Sequence, residues 1–111
     1  MSLQHKQKLI VTIVSRGWGE RVVDASKEAG AEGGTILCGR GTGIHEQQTL
    51  FGMLIEPEKE IVLSIISEDK SEKVLQAIVE AGELDKPGTG LAFVLDLEKV
   101  VGIVHLLKEE G

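Results

Sequence analysis

Tyrosine is absent from the 111 residues, which excludes any chemistry or modification that needs a phenolic hydroxyl. Cationic side chains are scarce as well. The chain holds 12 Lys and Arg against 18 Asp and Glu, a formal net charge of −6. That balance argues against broad nucleic-acid binding and against an anionic membrane surface. It leaves room for a small anionic ligand held by a few backbone N–H groups. There is one cysteine, Cys38, so no internal disulfide can form, and a reducing cytoplasm is the expected setting. Apolar runs are short, such as Ile10-Val11 and Val100-Val101 with their neighbours. None approaches the roughly 20 residues that span a bilayer, and the N-terminus shows no apolar signal region.

With 41% apolar and 27% charged residues, the composition is that of a globular chain, and the length suits one domain over 1–111. An internal duplication organises it. Residues 9–30 (LIVTIVSRGWGERVVDASKEAG) align with residues 61–82 (IVLSIISEDKSEKVLQAIVEAG). Ile13, Ser15, Glu20, Val22, Ala25 and Glu28-Ala29-Gly30 repeat as Ile65, Ser67, Glu72, Val74, Ala77 and Glu80-Ala81-Gly82.

Each copy opens on a β-branched run, Leu9 to Ser15 and Ile61 to Ser67, which predicts a strand. Trp18, Val22, Ala25 and Ala29 then recur at helical spacing, and Gly30 stops that helix. In the second copy Val74, Leu75, Ile78 and Val79 form the stripe and Gly82 ends it. Asp69 or Ser71 is the expected cap, Asp69 and Glu72 having capping-box spacing. Thr35 to Gly39 and Leu91 to Leu95 read as the closing strands, and residues 100–105 as an extra short one. The expected architecture is α+β and ferredoxin-like: β-α-β twice, with two helices on one face of an antiparallel sheet.

A sheet covered on one face should alternate apolar and polar residues. These strands do not. Leu9, Val11 and Ile13 oppose Ile10 and Val14, Ile61, Leu63 and Ile65 oppose Val62 and Ile66, and Leu91, Phe93 and Leu95 oppose Ala92 and Val94. Burying ~500 Å² of the second face would contribute on the order of 10 kcal/mol before association costs. A closed homo-oligomer with the sheets inside is the expectation, the alternative being the segment Val100 to Leu107 folded over that face.

Residues 41–58 (GTGIHEQQTLFGMLIEPE) are long for a link between antiparallel strands. Polar Gln47, Gln48 and Thr49 precede an apolar cluster that includes Phe51 and Met53. Two readings stand: a hairpin extension packed on a neighbouring subunit, or an arm that orders on a target protein. Two glycine turns flank the strands, Gly39-Arg40-Gly41-Thr42-Gly43 and Gly88-Thr89-Gly90. Their backbone N–H groups can face a phosphate or carboxylate, and Arg40 adds a bidentate charge. His5, His45 and His105 are dispersed without metal-ligand spacing. Cys38 reads as a small core residue, and no catalytic dyad or triad is evident.

The stretches GGTILCGRGTG at 33–43 and KPGTGLAFVLDLEKVVGI at 86–103 resemble the nitrogen regulatory P-II signalling family, and the likeness covers nearly the whole chain. It implies a ferredoxin-like homotrimer with sheets lining its interior. Residues 41–58 then match the family's T-loop, which acts on a target such as a membrane transporter or metabolic enzyme, and Lys86 to Gly90 match its B-loop. The resemblance places an adenine nucleotide (ADP, AMP or ATP) in a cleft between subunits, with Gly88, Thr89 and Gly90 on one side and Arg40 and Gly41 on the other. It implies no catalysis. Three departures bear on the ligand. Leu91 stands where the B-loop lysine is usual, and Gly102 and Val104 stand where two arginines are usual. Lys59 and Lys99 are the cations left to compensate. The implied site suits a less charged nucleotide or another small anion. Without tyrosine, uridylylation is excluded. A metal-handling or structural trimer of the CutA-like type is the alternative.

Overall fold

Two copies of a strand-helix-strand unit interleave to make one sheet. The computed structural model describes residues 6–43, 48–51, 53–55 and 57–102. β1 (Gln7–Ser15) leads through α1 (Gly19–Glu28) to β2 (Thr35–Arg40). β3 (Gln48–Leu50) and β4 (Met53–Ile55) pair as a hairpin within the long loop. β5 (Glu58–Ser67), a 3-10 turn (Glu68–Lys70), α2 (Ser71–Gly82) and β6 (Gly90–Leu97) follow. The main sheet is antiparallel in the order β2-β5-β1-β6, so the two strands that open the copies are central and the two that close them are edges. This is the ferredoxin-like α+β arrangement.

The period-2 alternation of strands sorts the two faces. Ile10, Thr12 and Val14 of β1, with Val62, Ser64 and Ile66 of β5, are buried under the helices. Val22 of α1 and Val74 and Ile78 of α2 are fully buried against them. On the other face the register stacks apolar rows. Leu37, Ile61, Ile13 and Leu91 form one, Leu63, Val11 and Phe93 a second, Ile65, Leu9 and Leu95 a third. Leu37 is 46%, Leu91 52% and Leu95 47% exposed in the single chain. The face expected to be greasy is greasy and uncovered by any described residue.

Several local expectations need correction. Asp69 does not cap α2. It lies in the 3-10 turn, whose extended N-cap is Ser67, so helical backbone begins earlier than the capping-box pattern suggests. The α2 N-cap is Lys70 without a side-chain bond, and Ser71 Oγ donates back to the Glu68 carbonyl at 2.8 Å. Gly82 is the last helical residue, and Glu83, at φ 53°, takes the left-handed position beyond it. Gly30 does end α1, at φ +126°. Ser26, not seen as an inward position, is fully buried and donates to Val23 O at 2.8 Å. Cys38 is exposed rather than core, because β2 is an edge strand. The strand expected at 100–105 is absent over 100–102. Residues 103–105, Gln47, His5, His45 and the rest of the segment to Leu107 lie outside the described residues, as do the side chains of Gln48, Thr49 and Met53.

Candidate functional site

Both glycine turns lie at the same end of the sheet. Arg40 closes β2 opposite Glu58, while Gly90 opens β6 opposite Val14. Three strand spacings separate the edges, roughly 14 Å at ~4.8 Å per step. One chain therefore does not bring Arg40 and Gly41 together with Gly88, Thr89 and Gly90.

Around Arg40 an open cleft of ≈ 380 Å³ is lined by Arg16, Cys38, Gly39, Arg40, Glu58, Lys59 and Glu60. Arg16, in the turn after β1, reaches Glu58 at 2.6 Å (Nη1 to Oε2). Its N–H also donates to the Glu58 carbonyl at 3.3 Å. Glu60 Oε1 accepts the N–H groups of Gly17 at 3.1 Å and Gly19 at 2.7 Å, satisfying donors at the start of α1 that Trp18 cannot cap. Lys59 is buried between these carboxylates in sequence. The Gly41 N–H donates to the Pro57 carbonyl at 3.2 Å and so closes the neck of the long loop.

The second turn is held by its own contacts. Lys86 Nζ binds Glu83 Oε1 at 2.6 Å. That hydrogen bond and charge hold the Glu83 carboxyl below its ordinary range, and raise the Lys86 ammonium above its own. Thr89 Oγ1 lies 2.8 Å from the Glu83 carbonyl and 2.9 Å from that of Lys86. Its hydroxyl thus braces the turn rather than facing outward. Gly88, at φ +79°, makes no hydrogen bond among the described residues. Gly90 is obligatory. At φ +151° a Cβ there would come within 2.3 Å of the Ile13 carbonyl oxygen. Nearby, the Arg21 guanidinium stacks 4.3 Å above the Trp18 ring.

In the long loop Phe51 is 94% exposed and adopts φ 53°, at the turn of the β3–β4 hairpin. No group of three or more His, Cys, Asp or Glu is placed to hold a metal among the described residues. No helix is long and apolar enough to cross a membrane. Arg16 and the contacts that Glu58 and Glu60 make escaped sequence reasoning, because strand register unites these residues across more than 40 positions. The alternating Glu58-Lys59-Glu60 at a strand entry was the one available signal.

The four-stranded antiparallel sheet with its two helices and duplicated strand-helix-strand unit defines a ferredoxin-like α+β protein. The model of the nitrogen regulatory protein P-II family matches residues 7–105, and the chain belongs to that family. Among solved structures, it is similar to Arabidopsis thaliana PII bound to citrate, at 23% identity and TM-score 0.69, covering 90% of this chain and 85% of that one. It is also similar to a Bacillus cereus protein related to NIF3, at 24% identity and TM-score 0.65. That match covers 86% of this chain but 26% of the other, so this chain spans about a quarter of that protein's length. At these identities the two likenesses concern the fold. No curated protein matches the chain.

Proposed function

We propose that this chain is a P-II-type signalling protein that works as a homotrimer, binds a small anionic effector between subunits, and controls a target protein through residues 41–58. The target is a membrane transporter or a metabolic enzyme, and the setting is nitrogen regulation in the cytoplasm. The effector is an adenine nucleotide, with ADP or AMP favoured over ATP, or another small acid. The chain acts by binding and not by turnover.

One observation carries this reading. The two halves of the candidate site stand on opposite edges of one sheet, at the same end. Only a neighbouring copy can bring Arg40 and Gly41 against Gly88, Thr89 and Gly90. The uncovered rows of Leu37, Leu91, Phe93 and Leu95 supply the apolar drive for copies to associate. At the second turn Lys86 is already paired with Glu83 and the nearby Arg21 is stacked on Trp18, which leaves backbone donors for the ligand and favours lower charge. The citrate held by the Arabidopsis relative is in keeping with a small acid.

Calorimetric titration with ADP, AMP and ATP tests the reading, alongside sedimentation. The expected result is a stable oligomer, heat from at least one nucleotide, and loss of that heat in R40Q. A lone soluble subunit at micromolar concentration, or silence with all three nucleotides, overturns it.

A further inference from the structure

We infer that the cleft between Arg16 and Arg40 is an oxyanion site in which the chain's own Glu58 carboxylate acts as a built-in competitor, the external ligand being a small carboxylate or phosphate anion. The inference rests on the reading that the effector is anionic, and it adds how that anion reaches the long loop.

Two guanidinium groups and one accessible carboxylate share this cleft. Glu58 is bound to Arg16. Arg40 is the register partner of Glu58, and its guanidinium makes no ion pair or hydrogen bond among the described residues. The second carboxylate, Glu60, is engaged with the N–H groups of Gly17 and Gly19, so the start of α1 is filled from within the chain. Among the described residues, an entering anion therefore meets an unengaged fork at Arg40 and an occupied one at Arg16.

The occupied fork is weakly held. The side chains of Arg16 and Glu58 are 76% and 54% exposed, and an exposed pair biases an equilibrium by about fivefold at most. Glu58 is also the first residue of β5, next to Pro57, whose carbonyl accepts the Gly41 N–H at the loop neck. Displacing Glu58 from Arg16 loosens the point where the long loop returns to the sheet. Ligand affinity and loop order are then linked through one carboxylate, because the anion binds better to the state in which Glu58 has left.

The test uses citrate and inorganic phosphate as probes, titrated into the full chain at low ionic strength. E58Q removes the competitor and tightens binding about three- to fivefold. E72Q makes the same charge change on α2, away from the cleft, and leaves affinity unaltered. R40Q abolishes binding. In the unsubstituted protein, saturating citrate speeds amide exchange at Gly41. Equal affinities for E58Q and E72Q overturn the inference, and so does Gly41 exchange that ignores saturating citrate, a readout that needs no variant to fold. Nucleotide binding that persists while E58Q changes nothing sinks this inference alone. Silence with probes and nucleotides together sinks the anionic-effector reading as well.

Discussion

Thr12→Val is expected to make the protein more stable. Thr12 is fully buried on the helix-facing side of β1, between Val62 and Ala92 on the neighbouring strands. Its Oγ1 has no hydrogen-bond partner among the described residues. A buried hydroxyl without a partner costs about 1–3 kcal/mol, while valine keeps the β-branched shape that the packing and the strand both accept. The expected gain is about 1–2 kcal/mol, or roughly 4–10 °C in Tm for a domain near this size. Thr12→Ser keeps the hydroxyl and removes a methyl, so it should cost about 1 kcal/mol. Urea unfolding followed by the single tryptophan, Trp18, measures both, with protein concentration held fixed so that any association of copies contributes equally to each variant. Ser64 Oγ, two positions beyond Val62 on β5, is also without a partner among the described residues, and Ser64→Ala offers a parallel reading. Its gain is smaller because alanine leaves a void where the hydroxyl was. A T12V protein that unfolds earlier than the parent would refute the reasoning and show that the hydroxyl is satisfied.

Other outcomes follow from the same structure. Gly90→Ala should cost more than about 3 kcal/mol or prevent folding, since the new Cβ meets the Ile13 carbonyl oxygen at 2.3 Å and β6 must move off β1; chemical denaturation decides it. Phe93→Glu on the open sheet face should leave the fold intact by circular dichroism but shift sedimentation to the monomer; an unchanged oligomer would place the subunit contacts elsewhere. Glu83 and Asp96 have carboxyl pKa values lowered by Lys86 and Lys6, so their contribution is present above the ordinary carboxylate range and is lost as pH falls through the depressed values. Carboxyl NMR titration should show both midpoints below those of an unpaired carboxylate, with E83Q returning Lys86 to an ordinary lysine midpoint.

Much of the fold was legible because the signals are local or repeated. The duplicated strand and helix patterns locate β1, α1, β5 and α2, and the apolar residues at both parities of each strand announce a sheet that needs cover on both faces. Helix ends were less legible. The Asp69 and Glu72 spacing suggests a capping box, yet the 3-10 turn carries the helical backbone back to Glu68, so the pattern falls one turn too late. Cys38 looked like a core residue because its neighbours are apolar, and only its place on an edge strand exposes it. The glycine turns were found from composition. The bracing role of Thr89 was not, since it depends on where the carbonyls of Glu83 and Lys86 point.

Periodicity, duplication and glycine placement are properties of neighbours along the chain, and by themselves they determined the element types, the ferredoxin-like order and the two loops that matter. Tertiary structure alone decided which residues face each other across strands. It set Arg40 and Gly90 at one end but on opposite edges, put Glu58 on Arg16, and gave the first N–H groups of α1 to Glu60. Register is a cooperative choice made by whole strands burying one face, so no short window of sequence contains it.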